Sequence, residues 1–270
     1  MGKTYVCSDL HGQFLAFQKA IQVSGFSLEK GDHLWYLGDA IDRWGHSKAC
    51  FETIYNWREQ YPEQVKFHMG NHEKMLLDFL ASPNELSLSM NGQLWLQNGG
   101  MQTCFSFLNE FYDQMPPTFM DLQQAFLTHY PNLIQQLRSL TLYHETDDAI
   151  FTHAGLYPHV PLEEQTMDDF LWVRDEFFEH YNGKLVVHGH TQTFTIPDYS
   201  KPIRDRYGRI EKYGTREGLH ITPHRIGIDG GCASRHEFYF IEWPTLKTYV
   251  IPCERIHDWD VKEYKLQPIV

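Results

Sequence analysis

The sequence has no apolar run that approaches the roughly 20 residues a membrane-spanning helix requires. Its first residues, from Lys3 to Cys7, lead directly into a polar motif. They carry neither the apolar stretch nor the cleavage pattern of a secretory signal. We therefore expect a protein without a membrane-spanning segment, located in the cytoplasm.

Cysteine is also scarce. The chain has five cysteines, an odd number, and no two of them stand in a CxxC arrangement. Regularly paired cysteines are typical of secreted disulfide-bonded domains and of thiolate metal sites. Free thiols in a reducing compartment are the simpler interpretation of this pattern.

Positive charge is in short supply as well. Lysine and arginine total 23 against 35 aspartates and glutamates, which gives a formal net charge of -12. Stable binding to nucleic acid depends on clustered basic side chains, so the balance argues against such a partner. It does not exclude a phosphate substrate, because bound divalent cations reverse the local electric field whatever the net charge.

What the chain does contain is a series of short β-rich runs separated by segments with helical spacing. Strands are predicted at 4–7, 33–37, 65–69, 149–152, 185–187 and 225–228, with a hairpin over 237–251. The segments at 13–23 and 47–60 have the apolar spacing of helices. This alternation predicts an α/β fold with a parallel sheet covered by helices.

The middle of the chain has a different pattern. Between about residues 74 and 140, helical spacing predicts helices at 73–80, 95–107, 118–128 and 132–139. Strands resume afterwards, so we expect a helical insertion within a single domain spanning 1–270. The polar stretch at about 196–225 is locally basic, and it is either a solvated loop or a surface that steers an acidic substrate.

Side chains that bind metals or phosphate follow consecutive strand ends. In chain order they are Asp9, His11, Asp39, Asp42, Arg43, Asn71, His72, His153 and His190. A single histidine at a strand end is weak evidence, but α/β folds place their chemistry at these ends, and the set together predicts a metal site. Carboxylate, imidazole and amide ligands suit Mn, Fe, Zn or Ni rather than copper.

Five motifs carry a resemblance to a known family. They are SDLHG at 8–12, GDAIDR at 38–43, GNHE at 70–73, THAG at 152–155 and HGHT at 188–191. The set resembles the calcineurin-like metallophosphoesterase superfamily, and within it the bacterial and phage-type phosphoprotein phosphatases. Ser8 and Trp44 stand where that pattern has glycine. The resemblance implies a β-sandwich flanked by helices, with the helical insertion beside it.

The resemblance also implies two divalent metal ions, most readily Mn. Asp9, His11 and Asp39 would hold one ion. The second would be held by Asn71, His153 and His190, with Asp39 as the bridging ligand. His188 competes with His190, but the motif assigns His190 as the ligand. Two such ions share a water, lower its pKa and clamp a phosphoryl oxygen.

The remaining roles concern the phosphate group. The resemblance implies that His72 is the general acid and that Asp42 orients its imidazole, although Asp42 has an alternative as a helix N-cap. Arg43 and Arg174 are the expected phosphate clamps, with Asn71 as a further phosphate contact. Arg174 has a plainer alternative as a solvated residue at the start of an acidic helix. Glu73 is expected to cap the helix that follows it.

Together these features predict a phosphomonoesterase of the serine/threonine protein phosphatase type, acting on phosphorylated proteins or small phosphate esters. The alternative is a hydrolase of dinucleoside polyphosphates such as diadenosine tetraphosphate, which would use the same metal motifs. Asp42 favours the first, because the second group tends to lack an aspartate at this position. A metal-holding scaffold without activity is the third interpretation. The oligomeric state is not predicted.

Overall fold

The computed structural model describes residues 2–196, 218–234 and 236–253, together with the backbone of 203–204 and 210–211. The basic part of the 196–225 stretch, residues 201–216, lies outside the described residues apart from those two short backbone segments. Both interpretations of this stretch, a solvated loop and a surface that steers an acidic substrate, concern residues outside the described ones. Within the described ranges, no helix is both long enough and apolar enough to cross a bilayer.

The first sheet is built on the N-terminal strands. It contains β1 (Thr4–Cys7), β2 (His33–Tyr36), β3 (Val65–Phe67), β11 (Glu237–Trp243) and β12 (Lys247–Pro252), in the order β12-β11-β1-β2-β3. The pairs β1–β2 and β2–β3 are parallel, whereas β11 runs antiparallel to β1. The parallel strands therefore end at one edge, where their following loops meet.

The second sheet comes from the C-terminal half. It contains β4 (Tyr143–Glu145), β5 (Ala149–Thr152), β6 (Leu185–His188), β9 (His220–Ile221) and β10 (Arg225–Gly227), in the order β4-β5-β6-β10-β9. A buried cluster that includes Val6, Phe151 and Ile241 packs the two sheets face to face. A separate antiparallel pair joins β7 (Ile203–Arg204) to β8 (Ile210–Glu211). The predicted α/β fold with a β-sandwich is confirmed.

Helices cover both outer faces. On the first sheet lie α1 (Phe14–Ser24) and α2 (Ser47–Gln60), and on the second lie α8 (Met167–Trp172) and α9 (Asp175–His180). Phe17 of α1 contacts Trp57 of α2 and Phe240 of β11 through their rings. Aromatic burial of this kind explains much of the aromatic content of the chain, because each ring removes a large apolar area from water.

The middle of the chain forms helices, as predicted, although their bounds differ and one of them was not expected. They are α3 (Asn71–Leu80), α4 (Glu85–Trp95), α5 (Met101–Leu108), α6 (Phe119–His129) and α7 (Leu133–Arg138). The single helix predicted at 95–107 is wrong. It is interrupted by a π-helical turn at Leu96–Gly100, where Gly99 has a φ of 104°. A glycine allows this left-handed conformation at little cost, and its carbonyl accepts the backbone N–H of Arg43 at 3.1 Å.

The elements that the pattern did not predict include β4 and α4. The strand β4 reads Tyr-His-Glu and is mostly exposed, so it has no apolar alternation to reveal it. The helix α4 begins at Glu85, where the side chain of Asn84 accepts the backbone N–H of Ser87 as an N-cap. Its first turns are rich in serine, which weakens the helical signal.

Replacing Phe17 by alanine tests this core. Phe17 has no exposed surface, so Phe17→Ala should lower the free energy of unfolding by about 3–5 kcal/mol. Phe105 is 48% exposed, and Phe105→Ala is the matched control, expected to change stability by less than about 1 kcal/mol. Denaturant unfolding of both variants measures the difference, and equal losses would contradict the assignment of Phe17 to the core.

Candidate metal centre

The strand-end loops hold several side chains in an uncommon backbone conformation. Six of the eight described non-glycine residues with positive φ belong to the predicted site: Asp9, His11, Asp39, Asp42, Arg43 and His190. Positive φ brings the side chain of an L-residue close to its own backbone, so it persists only where surrounding contacts impose it. The loops are thus shaped by contacts with one another rather than by local preference.

Two glycines allow the loops to approach closely. A Cβ added to Gly70 would lie 2.1 Å from Oδ1 of Asp39, and one added to Gly189 would lie 2.1 Å from Oδ2 of Asp9. Neither contact is sterically tolerable, so no other residue fits without displacing a site carboxylate. The glycines of the GNHE and HGHT motifs therefore have a packing reason in this fold.

The carboxylate of Glu73 links the loop that carries Asp39 to the loop that carries Gly70. It accepts backbone N–H groups of Asp39 and Ala40 at 2.8 Å each and that of Gly70 at 2.9 Å. The expected helix cap is present, because Gly70 is the N-cap of α3. The contacts to Asp39 and Ala40 were not expected. They make Glu73 the residue that holds the Asp39 loop in place.

One group of potential metal ligands gathers on one side of Asp39. It comprises His11, Asp39 and His72. Nε2 of His11 is 3.4 Å from Oδ2 of Asp39, and Nε2 of His72 is 4.0 Å from the same oxygen. The Nδ1 of His11 lies 3.0 Å from the carbonyl of Ile41. Donation of Nδ1–H to that carbonyl leaves Nε2 free to coordinate.

A second group gathers on the other side. It comprises Asp39, His153 and His190. Oδ1 of Asn71 is 2.9 Å from Nε2 of His153 and 3.0 Å from Nδ1 of His190. The Nδ1 of His153 faces the carbonyl of Leu37 at 2.9 Å, which again leaves Nε2 for coordination. Asp39 is common to both groups, as a bridging ligand would be.

Asp9 stands in neither group. Its two carboxylate oxygens each accept the backbone N–H of His190 at 3.1 Å. Asp9 therefore lies beside the His190 loop, and its charge is among the causes that raise the pKa of Asp39. Its assignment as a ligand of the first ion stays a prediction.

The electrostatics of the centre suit a divalent cation. Burial, reinforced by the charge of Glu73, raises the pKa of Asp39 well above its usual range. Burial also raises the pKa of Asp9, with Asp229 as the next cause. Burial lowers the pKa of His153 to about 3, so its imidazole is neutral and in the form that binds metals. Buried carboxylates and neutral imidazoles around one oxygen fit a pair of divalent ions.

Asp42 is paired with His72 rather than capping a helix. Oδ2 of Asp42 lies 2.6 Å from Nδ1 of His72, and the N-cap of α2 is His46. The same carboxylate accepts the indole N–H of Trp95 at 3.0 Å and the hydroxyl of Thr103 at 2.5 Å. These bonds hold Asp42 so that Nε2 of His72 points towards Asp39. Burial nevertheless raises the pKa of Asp42 to about 7.

Trp95 and Thr103 are site residues that the sequence did not reveal. They lie 53 and 61 residues from Asp42 and belong to the helical insertion. No motif marks them, because a tryptophan and a threonine at helical spacing look like ordinary packing residues. A buried carboxylate needs donors from somewhere, but the sequence does not say from which helix.

The two predicted arginines approach the centre from different loops. Both side chains are exposed. Arg174 donates Nη1–H to the hydroxyl of Thr191 at 2.9 Å and lies 3.4 Å from the carbonyl of His190 through Nη2. After burial, the charge of Arg43 is the next cause that lowers the pKa of His72. Both guanidiniums thus lie near the site and are accessible to an anion.

Asp229 is a further acid at the site that received no role from the sequence. It is buried, and its Oδ1 accepts the backbone N–H of Gly231 at 2.8 Å. It comes just after β10, so its position at a strand end was the available signal. Burial raises the pKa of Asp229 to about 6, while the positive charge of Arg174 opposes that shift.

The remaining neighbours are now placed. His188 is buried against the rings of Phe177 and Phe178 and belongs to neither ligand group. Trp44 donates its indole N–H to the carbonyl of Cys232 at 3.1 Å. Trp172 is 41% exposed, and its ring lies 6.0 Å from that of His190. Trp172 therefore offers an open aromatic face beside the metal centre.

The family model for calcineurin-like phosphoesterases matches residues 2–194. The chain belongs to the calcineurin-like phosphoesterase family. It is thus a hydrolase of the metallophosphoesterase type, as the motifs predicted.

Two curated relatives of this phosphoesterase point to different substrates. The symmetrical bis(5'-nucleosyl)-tetraphosphatase of Nitrosomonas europaea is 21% identical over 299 residues, covering 93% of this chain and 99% of that protein. Serine/threonine-protein phosphatase 1 of Salmonella typhimurium is 35% identical over 96 residues, which covers 36% of this chain and 38% of that protein. The first match is nearly complete in both proteins, and the second is local.

Solved structures agree on the fold of the phosphoesterase. A putative diadenosine tetraphosphatase superposes with a TM-score of 0.59 at 17% identity, covering 94% of this chain and 95% of that one. A cold-active protein-tyrosine phosphatase of a psychrophilic Shewanella gives 0.50 at 14% identity, covering 93% and 80%. At these identities the likeness concerns the fold alone.

Asp39→Asn tests the centre directly. Removing the charge shared by both ligand groups should weaken Mn²⁺ binding by about 100-fold or more, because neither ion keeps its central anionic ligand. Asp147→Asn is the matched control, since Asp147 is exposed and should bind metal as the wild type does. Calorimetric titration with MnCl₂ measures both, and unchanged affinity in Asp39→Asn would contradict the assignment.

Metal binding should also release protons. Because the pKa values of Asp39 and Asp9 are raised, the metal-free site keeps protons on these carboxylates to a higher pH than exposed carboxylates do. Since a cation binds the deprotonated form, affinity should rise as pH rises. Calorimetry in buffers of different ionisation enthalpy counts the protons released. An affinity that falls with rising pH would contradict this account.

Proposed function

We propose that the protein hydrolyses dinucleoside polyphosphates, such as diadenosine tetraphosphate, at a centre of two divalent ions, with Mn²⁺ the expected metal. The observation that carries the proposal is the match to the symmetrical bis(5'-nucleosyl)-tetraphosphatase of N. europaea, which covers 93% of this chain and 99% of that protein. This reverses the order expected from the motifs, in which Asp42 favoured a phosphoprotein phosphatase.

The residues around Asp39 would hold the two ions. Asp9, His11 and Asp39 would hold one ion, and Asn71, His153 and His190 would hold the other together with the same Asp39 carboxylate. Bound there, two divalent ions supply an activated water and neutralise charge on the phosphate. The imidazoles serve this role only as neutral ligands, and burial keeps them neutral by lowering the pKa of His11 and His190 well below their ordinary value.

His72 would act on the leaving oxygen. Its Nδ1–H is held by Asp42 at 2.6 Å, so Nε2 is the atom directed to the centre. A proton on Nε2 can pass to the departing oxygen as its bond to phosphorus breaks. Asp42 stabilises the charged imidazolium that this step requires. In our proposal, Trp95 and Thr103 serve only to position Asp42.

Arg43 and Arg174 would bind the remaining phosphate oxygens. Guanidinium groups match phosphate oxygens with two parallel hydrogen bonds each. One arginine is the last residue of the GDAIDR motif and the other is the N-cap of α9, so the two reach the centre from separate loops. A chain of phosphates carries negative charge along its length, and two arginines on different loops suit such a polyanion better than a single small phosphate.

A phosphomonoesterase is the second candidate, and the His72–Asp42 pair favours it. A serine or threonine alkoxide is a strongly basic leaving group that needs a proton as it departs, whereas a nucleoside diphosphate leaves readily without one. Asp42 is buried, lies 2.6 Å from His72 and is fixed by Trp95 and Thr103. A histidine held in this way is well suited to protonating an alkoxide leaving group.

A single comparison of substrates separates the two candidates. Mn-loaded wild-type protein is supplied with diadenosine tetraphosphate, a phosphoserine peptide and a phosphotyrosine peptide at equal concentration, and products are followed by chromatography and phosphate release. We expect the dinucleotide to have the largest kcat/KM and to give two molecules of ADP. Faster turnover of a phosphopeptide would replace our first candidate by the second. No turnover of any substrate would leave only the scaffold interpretation.

His72→Ala tests the proton donor. The loss of kcat should be about 100- to 10,000-fold for a phosphoserine peptide. It should be much smaller for diadenosine tetraphosphate, whose leaving group is less basic. The metal content of the same sample separates the role of general acid from that of metal ligand, since His72 belongs to the same group of potential ligands as Asp39. Equal losses for both substrates together with loss of one ion would make His72 a ligand instead of an acid.

A further inference from the structure

Two cysteines lie against each other outside the metal centre. Cys232 opens the short 3-10 turn Cys232–Ser234, and Cys253 follows the end of β12. Their sulfur atoms are 2.6 Å apart. This is within about half an ångström of a covalent S–S bond of about 2.05 Å. Both residues carry free thiols in the structure.

Backbone hydrogen bonds to His236 bring these cysteines together independently of their sulfur atoms. The backbone N–H of His236 donates to the carbonyl of Gly231, the residue before Cys232, at 3.1 Å. In addition, the backbone N–H of Cys253 donates to the carbonyl of His236 at 3.0 Å. The backbone places the two side chains for bonding before any bond forms.

A metal is a poor explanation for this pair. Structural thiolate sites use four ligands and catalytic ones at least three. Across the described part of the chain, groups of three or more potential ligands occur only around Asp39. The two thiols would thus bind an ion with too few partners.

We propose that Cys232 and Cys253 are a modification site that forms a reversible intramolecular disulfide, with a low-molecular-weight disulfide such as oxidised glutathione as the oxidant. Cys253 is 7% exposed and Cys232 is 1% exposed, so Cys253 is the thiol that meets the oxidant. The activity of the metal centre plays no part in this inference, which stands apart from the proposed function.

The exchange proceeds in two balanced steps. The Cys253 thiolate attacks one sulfur of oxidised glutathione, the external S–S bond breaks, and one glutathione leaves and takes up a proton. The Cys232 sulfur then gives up its proton and attacks the Cys253 sulfur, which expels the second glutathione as a thiol. Two protein thiols are oxidised, and one external disulfide is reduced to two thiols.

The turn at Cys232 also contacts the loop that carries Arg43 and the loop that carries His190. Its carbonyl accepts the indole N–H of Trp44, the residue after Arg43, at 3.1 Å. The hydroxyl of Ser234, in the same turn, accepts the side-chain amide of Gln192 at 2.7 Å. A covalent link between the turn and β12 would hold these contacts on both sides of the centre.

Counting thiols tests the proposal. Full-length protein is incubated with oxidised glutathione, denatured, alkylated and analysed by mass spectrometry. Three of the five thiols should remain reactive. The mass before alkylation should fall by two hydrogen atoms, digestion should yield a peptide linking Cys232 to Cys253, and a reducing agent should restore all five. Five reactive thiols, or a bond involving any other cysteine, would overturn the proposal.

Two variants serve as matched controls. Cys253→Ser should form no intramolecular bond, whereas Cys104→Ser, which removes a thiol buried in the helical insertion, should still lose two thiols on oxidation. Oxidation should also raise the thermal midpoint of the wild type by several degrees, since the bond closes a loop of about 20 residues in the unfolded chain. That shift should be absent in Cys253→Ser, and the same shift there would contradict the disulfide.

Discussion

The burial of Asp39 determines which groups its neighbours must provide. A buried carboxylate must have donors or a cation nearby, because the interior does not solvate its charge. The backbone of Asp39 is fixed through the carboxylate of Glu73, and its Oδ2 lies 3.4 Å from Nε2 of His11 and 3.5 Å from Nε2 of His153. The loops, the glycines that let them approach and the neutral imidazoles all follow from accommodating this group.

The helical insertion also supports the site, through contacts to Asp42 and Arg43 rather than to Asp39 itself. Trp95 closes α4 and Thr103 lies in α5, with the π-helical turn between them. Both donate to Asp42, while the carbonyl of Gly99 in the turn accepts the backbone N–H of Arg43. The interruption of the helix is what allows one short segment to supply these three contacts. The insertion is therefore a wall of the site as well as a packing element.

Much of the fold and of the candidate site could be predicted, because the sequence patterns that indicate them are local. Buried strands appear as short apolar runs, and polar residues directly after them mark the edge of the sheet where they converge. Asp39, Asn71, His153 and His190 were found in this way and do lie together. Asp9 was found in the same way and lies beside the loop that carries His190, and its role as a metal ligand stays a prediction.

Other features of the site depend on residues that are distant along the chain, and no local sequence pattern indicates them. The donors to Asp42 come from residues 53 and 61 positions away, and a sequence without pairing information does not link them. The break at Gly99 was missed because apolar spacing continues across it. The choice between substrates also lies beyond the motifs, since one set of metal ligands serves phosphate esters and phosphate anhydrides alike.

The left-handed backbone at six site residues has a consequence for how such a protein evolves. Each non-glycine residue in this conformation costs about 1–2 kcal/mol, so glycine would relieve the strain at every one of these positions while removing the side chain. Selection for folding alone would erode the centre step by step. These loops keep their non-glycine residues only where selection acts on turnover, because selection for stability alone would favour glycine.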